Sequence, residues 1–521
     1  MFQFFIRGVK RAPLSSLLLL QVSGTVGYTQ ISLQALSETR YGELPQGGSE
    51  SIPTFYSDLS SEFRWQWLLT GARVEGFNSP DLSLHYEQLS QRYLEASWRW
   101  GAARIGNSYG ILGRGLLLRS FELPAFIHED PRLRRRHSVI RDFDGVRLSL
   151  APGPVNLLVL GGEPALDPLA PPSDDNRPRR FGRVAGAQLG IRIPAGIEIG
   201  GAYLRLNDGS AERKDYAARF VNGSLSPALA ALGMNELGLD LYAEYATRQG
   251  GNAFGKLDRT SPHALFGAAV LSYGSAGLSF EYKDYRDFNL GVNDPPSLVR
   301  QSTEVLLNRG THVLLLEAEN GYQVELAVVP ARRTRLTINL SAAENDFGPD
   351  LPSYEFWQRY ISLNYGGDPL DAKLFADFSN NSIEGDRRFT AGTGVDRSLP
   401  SGLILGAELQ WQQVHRVVPG LIDAYFANAT SEARIQGWKN LTMYFRLERS
   451  AEPDLRFSAG EPEVTTKIVY WPGGGIGWKP MAQIETQFFV GKRLGGLFCD
   501  HGYCIEVPSY QGAELRFLAR L

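Results

Sequence analysis

The chain has 521 residues, a formal net charge of −3 and a pI near 6.2, so it lacks the basic footprint of general nucleic-acid binding. Its 56 Gly, 27 Phe, 22 Tyr and 9 Trp against only 4 Met, with an ordinary 43% of hydrophobic residues, do not suit a string of α/β domains. They suit strands of which only every second residue meets an apolar surrounding.

The N-terminus reads as a secretory export signal. Arg7, Lys10 and Arg11 form a basic region, Ala12 to Val22 an apolar core, and Ser23, Gly24, Thr25 and Gly27 a small-residue stretch. The core is too short to span a bilayer, and this order is that of a cleaved signal rather than of a first buried helix. Residues 1–29 are assigned to it, 30–59 to an N-terminal periplasmic segment, and 60–521 to the main domain. Beyond the signal, no run of about 18 apolar residues could cross a bilayer as a helix.

From about residue 60 onward, apolar and polar residues alternate. Leu237, Leu239, Leu241, Ala243 and Tyr245 interleave with Asp240, Tyr242 and Glu244. Leu278, Phe280 and Tyr282 flank Glu281; Leu403 to Trp411 carry Glu408 and Gln410; Leu441, Met443, Phe445 and Leu447 flank Tyr444 and Arg446. A strand sends the two sets to opposite faces. Pro152-Gly153, Asn207-Asp208-Gly209, Gly366-Gly367-Asp368 and Pro472-Gly473-Gly474-Gly475 punctuate the stretches as turns.

Alternation fits a soluble sandwich as well as a barrel. The export signal favours the barrel, and so do stretches of about 9–11 residues, long enough to cross a bilayer at a tilt. Aromatic residues near segment ends, such as Trp98, Trp100, Tyr273, Tyr282, Trp411, Trp438 and Trp471, resemble interfacial girdles. Ala513 to Leu521 alternates flush to the chain end, like the terminal strand by which outer-membrane barrels are recognised for insertion, with Leu521 in place of the usual Phe. The expected fold is all-β: a single large antiparallel transmembrane β-barrel of about 18–22 strands with long loops.

Two stretches break the rhythm. Residues 121–142 hold Arg132, Arg134, Arg135, Arg136 and His137, and residues 163–182 are rich in Pro and hold Arg177, Arg179 and Arg180. Long irregular loops are often functional. Each arginine cluster reads either as a solvated loop that meets acidic lipopolysaccharide or as a charged constriction. Cys499 and Cys504, separated by four residues, suit a disulfide-closed turn in an oxidising compartment better than a zinc site.

Two motifs, one near each end of the chain, carry a resemblance. Gly106-Asn107-Ser108-Tyr109 with Gly113-Arg114-Gly115 through Glu122, and Gly495 to Cys499 with Cys504 and Val507-Pro508, resemble short signatures of an uncharacterised family of bacterial outer-membrane β-barrels, a domain of unknown function. The resemblance implies a barrel and names no substrate. The glycines around Arg114 permit a bulge or inward kink. Arg114 then either projects into the lumen toward a carboxylate such as Glu122 or props a strand bend.

None of the seven histidines sits in a nucleophile elbow, metalloprotease motif or phosphate loop, and His128-Glu129-Asp130 reads as an exposed loop cluster. The chain therefore reads as non-enzymatic, with no cofactor and no metal. Polar-face residues, among them Glu244, Glu281, Lys283, Glu408, Arg446, Glu448, Glu514 and Arg516, either knit neighbouring strands or line a wet channel. The expected function is an outer-membrane pore or transporter for a polar solute. Arg114, Arg132, Arg134, Arg135, Arg136, Glu281 and Arg446 are its candidate lumen or loop selectivity residues. The alternative is a surface-binding or structural barrel plugged by its own side chains or loops. Expected partners are outer-membrane lipid and lipopolysaccharide, and the barrel-assembly machinery through the C-terminal strand.

Overall fold

A sheet of long alternating strands leaves no unpaired backbone edge only if it closes on itself. The computed structural model describes residues 29–521 apart from 46–49, 133, 171–181, 195, 210–212, 250–260, 299–301, 313–314, 348–352, 459–460 and 501–502. Its main sheet has 24 antiparallel strands, each paired with its neighbours in chain order. The last, Tyr510–Arg520, pairs with Ile484–Arg493 on one side and with the first, Thr29–Glu43, on the other, in registers that include Glu38↔Arg516 and Gly42↔Gly512. The barrel is therefore closed.

An even strand number brings the first and last strands to the same rim. Connections on that rim are short, as at Gln66-Trp67 and Lys439-Asn440, where both turn residues of the second pair have positive φ and so match the strand twist of a tight hairpin. A short helix, Ser226–Ala231, fills the longest of them. The opposite rim carries the long connections, 109–142, 165–182, 287–317, 451–468 and 494–509.

The two faces invert the burial of a soluble protein. Leu241, Phe280, Leu409, Phe445 and Leu515 point outward and are exposed, while Glu244, Lys283, Gln410 and Glu448 point inward and are buried. Trp65, Trp67, Trp98, Trp100, Tyr273, Tyr365, Trp438 and Trp478 are exposed where strands meet the short-turn rim, as an aromatic girdle requires. Trp471, expected in a girdle, faces inward and is buried instead.

The strand number exceeds the expected range. Two strands lie before residue 60, Thr29–Glu43 and Ile52–Trp65, where a periplasmic segment was expected. In the first, Ser37 and Thr39 fall among the outward residues Ile31, Leu33 and Tyr41, and this dilutes the alternation. Of the expected export signal, 1–29, residues 1–28 lie outside the described residues, and Thr29 opens the first strand.

Deleting residues 510–521 opens two strand edges at once. We expect the truncated chain to lose the compact form that migrates faster on mild-detergent gels before heating. Retention of heat-modifiable migration would show that this strand does not close the barrel.

Candidate functional site

A closed sheet of 24 strands encloses a lumen wide enough to hold chain as well as side chains, and segments of three long connections, 109–142, 287–317 and 494–509, turn into it. The first is the hairpin of Phe121–Glu129 and Arg136–Arg141, paired through His128↔His137 and Glu129↔Arg136. It lies on the inner wall of the first four strands and the last. Arg136, fully buried, donates from Nη1 to Glu38 Oε1 at 2.5 Å and from Nη2 to Thr54 Oγ1 at 3.0 Å. Arg134 binds Glu129 at 2.9 Å, and Glu129 in turn takes a 2.7 Å bond from Arg40 of the wall. Arg40 also pairs with Glu38 and Glu514, each at 2.8 Å. Arg73 of the wall is held between Asp58 and Glu122 of the hairpin. Tyr86 donates to the Arg136 carbonyl at 2.6 Å, and the Ser138 amide donates to Glu75 at 2.8 Å.

Buried charge is retained only where it is matched, and here the guanidinium groups alternate with carboxylates. Burial opposes ionisation of Glu129, but Arg40, Arg136 and Arg134 outweigh it and hold its pKa below the ordinary carboxylate range. Burial lowers the pKa of His128.

The second inward segment follows Tyr109. Gly113 and Gly115 have positive φ, and a Cβ on Gly113 would run into the Glu244 carboxylate. The glycines thus let the backbone touch the wall: the Gly113 amide donates to Gln188 at 2.6 Å and the Arg114 amide to Glu244 at 2.7 Å. Leu112, Leu116, Leu117 and Leu118 are almost completely buried against the inward residues Phe143, Leu160, Leu204, Phe220, Phe266 and Tyr285. Phe288, Leu290, Val292 and Leu298, from the start of the connection 287–317, complete this core. At about 1.5–3 kcal/mol for each fully buried leucine, the contact is a strong one. It is tied by Arg119 to Asp294 at 2.8 Å, Arg141 to the Asn293 carbonyl at 3.1 Å and Asn293 to the Leu116 carbonyl at 3.2 Å.

The third crosses toward the far wall. The helix Val305–Arg309 is clamped by the wall glutamines: Gln410 accepts from the Leu306 amide at 3.0 Å and Gln412 donates to the Leu306 carbonyl at 3.2 Å. Leu307 packs on Tyr360 and Phe375. Arg309 donates to Glu448 at 2.6 Å and to the Leu494 carbonyl at 3.1 Å. The segment returns to the wall beside the buried pair Lys283–Glu319. The hairpin of Gly496–Asp500 and Tyr503–Val507 then brings Ile505 onto Phe121, Leu123 and Val139 of the first hairpin. Wall and inward segments thus form one continuous set of contacts across the lumen. Beside it, a cavity of about 420 Å³ remains against the wall, lined by Glu432, Arg434, Tyr444, Arg446, Glu448 and Arg493.

The candidate residues fall in different places. Arg134 and Arg136 are buried in ion pairs rather than solvated or facing a water-filled constriction; Arg135 donates to the Ser83 and Leu84 carbonyls, and Arg132 is exposed. Arg114 enters the lumen, but its guanidinium lies 4.7 Å from the Tyr242 ring centre; Glu122 pairs with Arg73 and Tyr109 instead. Glu281 faces inward between Ala268 and Gln323. Arg446 lines the remaining cavity, bonded to Glu432 at 2.5 Å. His128, expected on an exposed loop, is buried against His137. Arg309 and Asn293 carry much of the closure and were not singled out by sequence, and Leu116-Leu117-Leu118 stood out only as part of a motif of resemblance, with no role in the lumen expected of them. Apolar inward positions such as Leu204 and Phe266 were the available signal. Cys499 stands opposite Cys504 in the hairpin register; their side chains, and the arginines of 171–181, lie outside the described residues. Among the described residues, no three His, Cys, Asp or Glu converge to hold a metal.

No family model matches the chain, and no curated protein sequence is significantly similar. Solved structures of similar shape include a BenF-like porin from Pseudomonas fluorescens, 13% identical, covering 71% of this chain and 97% of its own, with a TM-score of 0.38. The translocation pore of the P pilus usher PapC is 9% identical and covers 94% of this chain and 99% of its own, at a TM-score of 0.46. OccAB2 of Acinetobacter baumannii is 11% identical, covering 68% and 92%, at 0.39. At these values the likenesses carry no functional argument.

Removing one partner of a buried pair strands the other. Arg136→Ala should weaken docking of the first hairpin by about 3–5 kcal/mol, read as a lower urea midpoint in detergent and faster proteolysis near residues 130–135. The double change Arg136→Met with Glu38→Leu should recover most of the loss; equal loss in both variants would refute a charge-locked hairpin. Because the Glu129 pKa is lowered, its pairing contributes fully above the ordinary carboxylate range and is lost as pH falls through the lowered value. Hydrogen exchange of residues 121–141 should therefore accelerate in acid, and exchange independent of pH after correction for intrinsic rates would contradict this.

Proposed function

We propose that the chain is an outer-membrane barrel closed at rest by its own loops, a gated conduit for polar solutes rather than an open pore. One observation carries this reading: the inward segments touch one another and opposite walls of the lumen, from the Ser138 amide on Glu75 to Leu307 on Tyr360. The outward apolar band and the aromatic girdle support residence in a membrane. In that setting the short-turn rim is periplasmic and the long loops are extracellular. The terminal strand is the element we expect the barrel-assembly machinery to recognise. The facing of Cys499 and Cys504 across their hairpin supports a disulfide there. We also place the chain with the uncharacterised outer-membrane barrels that its two short motifs resemble.

The plug has a dry side and a wet side. Against the strands between Phe143 and Arg286 it is a hydrocarbon core. Against the strands from Ile422 to Arg493 it is held at Arg309, above a cavity of mixed charge. Opening one polar contact exposes less apolar surface than unpacking a core, so the wet side is where a passage opens. The dry core favours the second reading, a permanently plugged structural barrel.

Planar-bilayer conductance separates the two. The wild-type chain should open rarely. Arg309→Ala removes a charge-assisted bond and should raise the open fraction about 10- to 100-fold. Silence from the wild type, from Arg309→Ala and from a chain lacking residues 303–312 would establish the plugged structural barrel instead.

A further inference from the structure

The outward wall is not uniformly convex. Along one row of the ladder, Ile361, Ala376, Ala391, Trp411, Ala429 and Arg449 stand in register on adjacent strands. Three of these six carry only a methyl group, whereas four of the six in the next row are leucines, Leu363, Leu374, Leu409 and Leu447, with Thr393 and Ser431 between them. The result is a hollow of about 990 Å³ in the apolar face, at the upper end of the size of ligand pockets.

Toward the long-loop rim the hollow meets aromatic rings and then cations. Trp357 stacks with Phe378 at 5.4 Å, and Phe389 lies edge-on to Trp411 at 6.1 Å. Arg359 follows two residues beyond Ile361, and Arg387 four residues beyond Ala391, roughly 7 and 13 Å along the strands. Both are exposed on the outward face, and neither has a carboxylate partner among the described residues. Arg359 lies over the Trp357 ring at 5.0 Å. Arg449, at the edge of the hollow, donates to the Ala427 carbonyl at 2.8 Å. Of the carboxylates on this rim, Asp423 is already held by His415 at 3.0 Å, and Glu355 and Glu344, opposite each other in the ladder, lie further out, four residues beyond Arg359 and its ladder partner Leu340.

We propose that this hollow binds one phosphorylated, multiply acylated lipid of the outer leaflet. Its acyl chains cover the alanine floor, and its phosphate lies between Arg359 and Arg387. Cations on the lipid-facing side of a barrel are destabilising unless they reach an anion or water, and a phosphate headgroup at this depth supplies the anion. A second copy of the chain across a two-fold axis would instead bring the same arginines toward each other. The proposal rests on the membrane residence argued above, and it is independent of whether the lumen conducts.

The test uses the full, delipidated chain in phosphatidylcholine nanodiscs containing a small fraction of hexa-acylated diphosphoryl lipid A, or of the same lipid without phosphates. Retained lipid is counted by native mass spectrometry. The wild type should retain one diphosphoryl lipid per chain and discriminate against the dephosphorylated form. Arg359→Gln with Arg387→Gln should weaken retention about tenfold for each arginine lost. Ala391→Leu with Ala429→Leu fills the hollow and should weaken retention with both arginines intact. Equal retention of the two lipids, or an unchanged double-glutamine variant, would overturn the proposal while leaving membrane residence standing. A chain that fails to float with phosphatidylcholine vesicles would overturn both.

Discussion

A backbone amide or carbonyl surrounded by hydrocarbon has no water to bond, and each one left unpaired costs several kcal/mol. Strands can live in such a surrounding only if every one has two neighbours. The pairing of Tyr510–Arg520 with Thr29–Glu43 meets that demand here, and much else in the structure follows from it. Closure with every pair antiparallel requires an even strand number, which puts the start of the first strand and the end of the last on the short-turn rim and the long connections on the other. It also fixes the size of the hole. A sheet of this circumference cannot fill its interior with its own inward side chains, as a small barrel does.

The chain fills that interior with polypeptide, and it does so by two different chemistries. On one side the inward residues of the wall are leucine, phenylalanine and tyrosine, and the loop that covers them brings a run of leucines. On the other side the wall offers Glu38, Arg73 and Glu448, and the inserted segments bring Arg136, Glu122 and Arg309 to them. A hydrocarbon contact is non-directional and resists separation over its whole area. An ion pair is local, and its strength depends on keeping both partners and excluding water. The plug is thus held over a broad area where it is oily and by discrete pairs where it is charged.

The same wall has opposite tasks on its two faces. Outward positions must be apolar at mid-height and aromatic at the rims, and most are. The exceptions are informative because they run against that demand. Alanines at 376, 391 and 429 give up packing area, and arginines at 359 and 387 place charge on an apolar face. Each would be a defect alone. Side by side, a hollow beneath two cations is complementary in shape and charge to the amphipathic anion proposed for it.

Period-two alternation was legible along the chain, because side-chain direction in a strand depends on nothing beyond the strand itself; it left a soluble sandwich open, and the export signal, the stretch length and the aromatic segment ends were what favoured a large antiparallel barrel. The faces of Leu241 and Glu244, or of Phe445 and Arg446, were legible for the same reason. The strands before residue 60 were not, since Ser37 and Thr39 blur an alternation that pairing with both neighbours nonetheless enforces. The lumen was least legible of all. Sequence marked Arg134 and Arg136 as charged loop residues, and only the fold places Glu129 and Glu38 against them, turning solvated cations into buried locks. Leu116 to Leu118 look like any apolar run until closure brings Phe220 and Phe266 around them. Alternation is a local property and can be read along the chain, whereas filling a lumen depends on residues hundreds of positions apart, whose meeting only the closed barrel decides.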